Sequence, residues 1–239
     1  MHTTNGAPMK ISKLFVLAIT MISAGISFAQ RTEVDLDVGT AMQISLQKEI
    51  YGILISDTDE VQTEYKEQGV MYKNDKLDKY KAILGAICER DRANVCPEVY
   101  FTKRVQQGIA AMYPNGVLVI NEAIAARIND NEATFLVAHE YAHYKFNHSK
   151  QRMTVIAKSV ADHGYMIREP EQALQYGSMF NGVKEAHYDY ENQADAYGFA
   201  YVVEKGLKLE CEKMFLKIAD GAVISNDKHD SVAKRCTSY

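Results

Sequence analysis

The stretch "ATFLVAHEYAHYKFNH", residues 133–148, constrains the fold more than any other part of the chain. Phe135, Leu136, Val137, Ala138 and Ala142 mark it as a buried helix, yet His139, Glu140 and His143 are embedded among them. A helix turns ~100° per residue, so His139 and His143, four apart, stand one above the other on a single face. Ionisable groups are costly in apolar surroundings unless partnered. The helix therefore needs a second element that carries partners to that face.

Two stacked imidazoles can share one metal ion, and Zn²⁺ is the usual occupant of a site built from neutral nitrogen ligands. Glu140 points ~100° away from His139, too far round for easy ligation but within reach of a water on the metal. A structural zinc site has no use for such a carboxylate, whereas hydrolysis needs a general base there. H-E-x-x-H also arises by chance, so the weight of the argument lies in its apolar context.

A catalytic zinc takes three protein ligands and leaves a fourth position open. His148 follows His143 by five residues with no glycine between to end the helix, so it reads as a helix-end histidine with a structural or supporting role. The better third ligand is Glu191 in "ENQADAYG". Glu191 and Asp195 share a helix face with Ala194 and Gly198, small residues that allow another helix close. Asp195 is then placed to accept a hydrogen bond from the far nitrogen of a ligating histidine. An ordinary solvated acidic stripe is disfavoured by the Ala, Tyr, Phe and Val around these residues.

With these residues in view, the chain resembles a family of gluzincin-type zinc metallopeptidases that includes the CAAX prenyl endopeptidases and bacterial envelope quality-control proteases. "HEYAHYKFNH" and "ENQADAYG" carry the resemblance, "YPNGVLVINEAI" is similar to the family's strand before the active-site helix, and "KHDSVAKR" to its C-terminal H-P-x-x-x-x-R element, with Asp230 in place of the usual proline. The resemblance implies that His139, His143 and Glu191 bind zinc, Glu140 is the base, and Asp195 supports a ligand. It further implies that His229 or Arg235 lies near the cleft as an oxyanion donor. His187, one turn before Glu191, either borders the cleft or is an incidental histidine on the helix face.

The organisation of the chain frames this site. Lys10 and Lys13 precede "LFVLAITMISAGISFA", which ends in the small-residue pattern of a signal peptide, so cleavage is expected after Ala29. The apolar run is shorter than the ~20 residues of a membrane span, and no stable membrane insertion is expected after cleavage. That leaves residues 30–239 as one domain, a helical part over 30–95 and a catalytic core over 96–239, in the periplasm or secreted.

The leader contains two lysines and no acids, so the mature chain is more acidic than the net −4 of the whole. The absence of a basic block also argues against nucleic acid as a partner, and protein or peptide substrates are expected. Cys88, Cys96, Cys211 and Cys236 lack the close spacing of a zinc cysteine site and, in an oxidising compartment, suggest two disulfides. Local pairing of Cys88 with Cys96 and Cys211 with Cys236 is favoured because short loops close readily; four buried thiols are the alternative.

The pattern predicts an α+β fold, mainly helical with a small β-sheet next to the active-site helix. Helices are expected within 31–92, in "NEAIAARI", after a cap at Asn129 or Asp130, on to about Arg168, and from about Val183 to Lys205 as the last helix. Strands are expected over 98–120 around the "YPNG" turn, with "VLVI" as a possible open edge for an extended peptide. Residues 170–182 read as a mobile connection. The function expected is a zinc endopeptidase of the bacterial envelope acting on unfolded or misfolded proteins. The alternative is a zinc-binding chaperone or adaptor without hydrolytic activity.

Overall fold

The computed structural model describes residues 41–104, 109–162, 170–177, 181–219 and 235–236. The expected leader with its cleavage point, and His229, lie outside the described residues. The fold is mainly helical with one small sheet, as the residue pattern indicates. No helix among the described residues is long and apolar enough to cross a membrane.

Helix α1 (Ala41–Glu67) leads to the short strand β1 (Met71–Tyr72), a 3₁₀ turn (Asp75–Leu77) and α2 (Asp78–Asp91). Strands β2 (Glu98–Thr102), β3 (Ala110–Tyr113) and β4 (Val117–Asn121) follow, and the sheet order is β1-β2-β4-β3. β2 and β4 run parallel, with Phe101 opposite Ile120; the other neighbours are antiparallel. β3 and β4 form a hairpin whose turn uses Gly116 at φ +78°, a left-handed conformation that glycine adopts without strain.

Every residue of β4 is buried. Leu118 and Ile120 face the main core, while Val117 and Val119 face a smaller cluster with Tyr65 of α1 and Met71 of β1. A strand covered on both faces reads as a continuous apolar run, which is why "VLVI" carries no alternation. This corrects the expectation of an open edge there: β4 is interior, and β3 is the outer strand on its side.

Beyond the short α3 (Glu122–Ala125), α4 (Asp130–Lys145) carries the histidine motif. Of its two candidate caps, Asn129 is the one used. Its side chain accepts from Glu132 N at 3.0 Å, and Glu132 Oε2 accepts from Asn129 N at 2.7 Å. α5 (His148–Asp162), α6 (Pro170–Gly177), α7 (Asn181–Glu204) and α8 (Cys211–Ala219) complete the described elements.

Residues 170–177 are thus helical rather than a connection. Pro170 opens the helix at the position where its missing N–H is not needed, and Ala173 and Leu174 bury against α1 and α5. α7 is also not the last helix. α8 follows it and places Met214, Phe215 and Ile218 in the main core. Within residues 31–92, β1 interrupts the expected helices by pairing with β2.

The two cysteine pairs close locally, Cys88 with Cys96 and Cys211 with Cys236. The helix crossing that matters for the site is α4 on α7. At Gly198, an added Cβ would lie 3.0 Å from Phe135 Cε2 and 3.3 Å from the Phe135 carbonyl oxygen, so any side chain there presses on both the ring and the backbone of α4.

Gly198→Val is therefore expected to destabilise the protein by about 1–3 kcal/mol through overpacking, measured by denaturant unfolding. It should also weaken metal binding in the same preparation, because the two helices carry different ligands. A variant as stable as the wild type would show that the crossing tolerates a wider separation.

Candidate active site

α4 and α7 bring together the three side chains that the residue pattern pairs across 48 positions of chain. His139 Nε2 and His143 Nε2 are 3.3 Å apart. Glu191 Oε2 lies 3.4 Å from the first nitrogen, and its Oε1 lies 3.5 Å from the second. These groups offer ligand atoms all within 4.8 Å of one another. Ligands held about 2.0–2.2 Å from a tetrahedral zinc ion stand about 3.3–3.6 Å apart, so the spacing fits that ion.

The outer nitrogens are committed as well. His139 Nδ1 faces Asp195 Oδ1 at 3.0 Å. Only an N–H can donate to that carboxylate, which directs the lone pair of Nε2 into the cluster. His143 Nδ1 faces His148 Nδ1 at 2.9 Å, and His148 Nε2 faces Gln193 Oε1 at 3.4 Å. The consistent proton order runs from His143 Nδ1–H to His148, and from His148 Nε2–H to Gln193. Tyr190 stacks on the His148 ring, with centroids 4.8 Å apart and planes 19° from parallel, and keeps that ring in place.

Electrostatics favour a cation between these groups. Burial works against charge on His139, yet hydrogen bonds to Asp195 and Glu191 outweigh it and push its pKa up to about 10. The same pair of carboxylates would stabilise a divalent ion. Burial pushes His143 down to about 3, against the opposing pull of Glu191 and helped by the neighbouring histidines, so its ring is neutral as a ligand must be. Burial also opposes the charge of Glu191, but His143 and His139 hold its pKa well below the usual carboxylate range.

Glu140 stands apart from the cluster. It is 8% exposed, and its Oε2 accepts a hydrogen bond from Met112 N of β3 at 2.9 Å. Burial, reinforced by the charge of Glu191, raises its pKa to about 7 despite the opposing effects of His139 and the Met112 N–H. A carboxylate near neutrality beside a metal-binding cluster is suited to taking up and returning a proton.

Arg235 has a different place from the one expected. Its Nε donates to Asp195 Oδ2 at 2.9 Å and its Nη2 to Asp195 Oδ1 at 2.7 Å, so its fork is engaged by the carboxylate behind His139 rather than offered to an oxyanion. His187 is buried one turn before Glu191 and lies close enough to act electrostatically on both His143 and Glu191, so it belongs to the surroundings of the cluster. The Met112 N–H had no signature in the sequence, because a backbone donor is common to every residue type except proline.

Zinc should bind at one ion per chain by metal analysis, and Glu191→Ala should abolish it. His148→Ala should weaken it roughly 10–100-fold, the usual cost of losing a partner of a metal-ligating histidine. Affinity unchanged in the His148 variant would mean that His143 is oriented by packing alone.

A search of curated proteins finds no match to the chain. The sequence profile of peptidase family M48 matches residues 83–219, more than half of the 239 residues, and spans α4, the sheet strands β2 to β4 and α7. The chain therefore belongs to peptidase family M48 and is a zinc metallopeptidase.

Proposed function

We propose that this peptidase is an exported endopeptidase of the bacterial cell envelope, periplasmic or secreted, that cuts unfolded or misfolded polypeptides laid along β3. The carrying observation is the hydrogen bond from Met112 N of β3 to Glu140. It puts the general base at a strand whose far side is unpaired among the described residues. Backbone groups along a strand alternate in direction, so Ala110 presents its own to the same side as Met112. An extended substrate can pair there through main-chain bonds, which select for unfolded backbone more than for sequence.

A shallow cleft opens beside His143, walled by Tyr51, Met112, Tyr113, Pro114 and Tyr144. The signal-like leader and the two disulfides support an oxidising, exported setting.

When bound, the metal supplies Lewis-acid polarisation of water and of the scissile carbonyl. His139, His143 and Glu191 hold it. The Met112 N–H fixes Glu140 through Oε2 and leaves Oε1 to accept a proton from the attacking water and pass it to the leaving amine. Asp195 and His148 keep the two imidazoles in the required tautomers.

Glu140→Gln should lower cleavage of an unfolded casein substrate by about 10²–10⁴-fold, the usual contribution of a general base, while zinc stays bound. Rigid folded proteins cut as fast as their unfolded forms would overturn the proposed substrate class, and an uncleaved leader in the membrane fraction would overturn the proposed location. Glu140 acts in its ionised form, so kcat/KM should fall as pH drops through its pKa. A neighbouring cation lowers that pKa, so the acid limb is expected between the ordinary 4.5 and about 7. A profile flat across that window would exclude Glu140 as the titrating base.

A further inference from the structure

We propose that the Cys211–Cys236 disulfide belongs functionally to the metal site: it anchors Arg235 on Asp195, and Arg235 in turn holds Asp195 against His139, so that zinc affinity depends on a covalent bond outside the ligand set. The inference rests on the zinc-peptidase reading of the cluster and adds a positioning residue and its anchor.

The contacts run without a break. Arg235 is bonded in sequence to Cys236, and Cys236 is bonded through sulfur to Cys211, the first residue of α8. One turn further along α8, Phe215 lies under the guanidinium, 3.9 Å from the ring centroid to Cζ. The guanidinium is thus held between an aromatic face and a carboxylate, with 12% side-chain exposure for Arg235 and 3% for Asp195.

Both Asp195 oxygens are then occupied. Oδ2 accepts from Arg235 Nε, and Oδ1 accepts from Arg235 Nη2 and from His139 Nδ1. The planar fork fixes the plane of the carboxylate, and that plane aims Oδ1 at the imidazole. Without the guanidinium, Asp195 is a buried charge with one partner, free to rotate or take up a proton.

The disulfide decides whether the fork is available. Cys211 and Cys236 are 25 residues apart in sequence, and their bridge ties the residue next to Arg235 to the start of α8. Opening it releases Arg235 to a larger volume and lowers its effective concentration at Asp195. Cys88–Cys96 supplies an internal control. It closes only 8 residues at the end of α2, with Leu84 and Ala93 as neighbours.

The test is zinc affinity by competition with a chelating dye, on full-length oxidised protein. Arg235→Ala and the pair Cys211→Ser/Cys236→Ser should each weaken zinc roughly 10–100-fold, and Arg235→Lys should recover only part of the loss, because an ammonium cannot form the fork. Cys88→Ser/Cys96→Ser should stay within about threefold of wild type, since this bridge is not joined to the segment that carries Arg235. Combining Arg235→Ala with the Cys211/Cys236 pair should cost no more than either alone, because both act through Asp195.

Wild-type affinity in Arg235→Ala, whose disulfide is intact, overturns the proposal even if the cysteine variant fails to fold. Additive losses, or an equal loss from the Cys88/Cys96 pair, reduce the bridge to a general stabiliser and overturn it too. Zinc binding that survives Glu191→Ala would overturn the metal site itself, a separate and recognisable failure.

Discussion

The approach of α7 to α4 sets everything at the active site. Two imidazoles four residues apart on one helix can face the same point, but the third ligand has to come from elsewhere and reach within a few ångströms of both. Gly198 sits against the Phe135 ring and carbonyl, and Ala194 is fully buried in the same crossing. With nothing larger between the helices, the short Glu191 side chain spans to both Nε2 atoms. A bulkier residue on this face would hold the carboxylate back and leave it as a buried charge without partners, which is far less favourable than a complete cluster.

An apolar helix can carry such groups because each one is answered outward, step by step. His143 is backed by His148, and His148 by Gln193 and the Tyr190 ring. His139 is backed by Asp195, and Asp195 by Arg235. At the helix start, Glu132 closes the capping box and meets Lys217 of α8 at 2.6 Å. α8 therefore supports α4 at two places, through Lys217 at its N-terminus and through the Phe215 ring beneath Arg235. The polar groups form connected networks rather than isolated pairs, the condition under which buried polarity rigidifies a site.

The sheet contributes direction. β4 is sealed on both faces and serves as a rigid floor, while β3 carries the backbone donor that orients the base. One strand thus ties the orientation of Glu140 to the outer edge of the sheet. The cleft beside His143 is closed on one side by Tyr51 of α1, a helix that lies outside the region matched by the M48 profile. Its N-terminal part thereby shapes a site whose chemistry is specified elsewhere.

Much of this was legible in the order of residues, because it depends on local geometry. Spacing of four puts His139 over His143 and Glu191 near Asp195; Asn129 with Glu132 three residues on is a capping box; "YPNG" is a turn; cysteines close in sequence find each other. What the linear pattern could not reveal depends on neighbours distant along the chain. "VLVI" has the same composition whether it lies inside a sheet or at its edge, and only its pairing with both β2 and β3 decides which. Pro170–Gly177 and Cys211–Ala219 become helical by burying small apolar faces against elements far away in sequence. Arg235 could have faced the cleft or the protein, and the fold turned it onto Asp195 because a disulfide and an aromatic ring hold it there. Residue order specifies which groups can do chemistry, since that follows from their types and helical phase; the tertiary structure assigns each a partner and direction, since those follow from packing between distant segments.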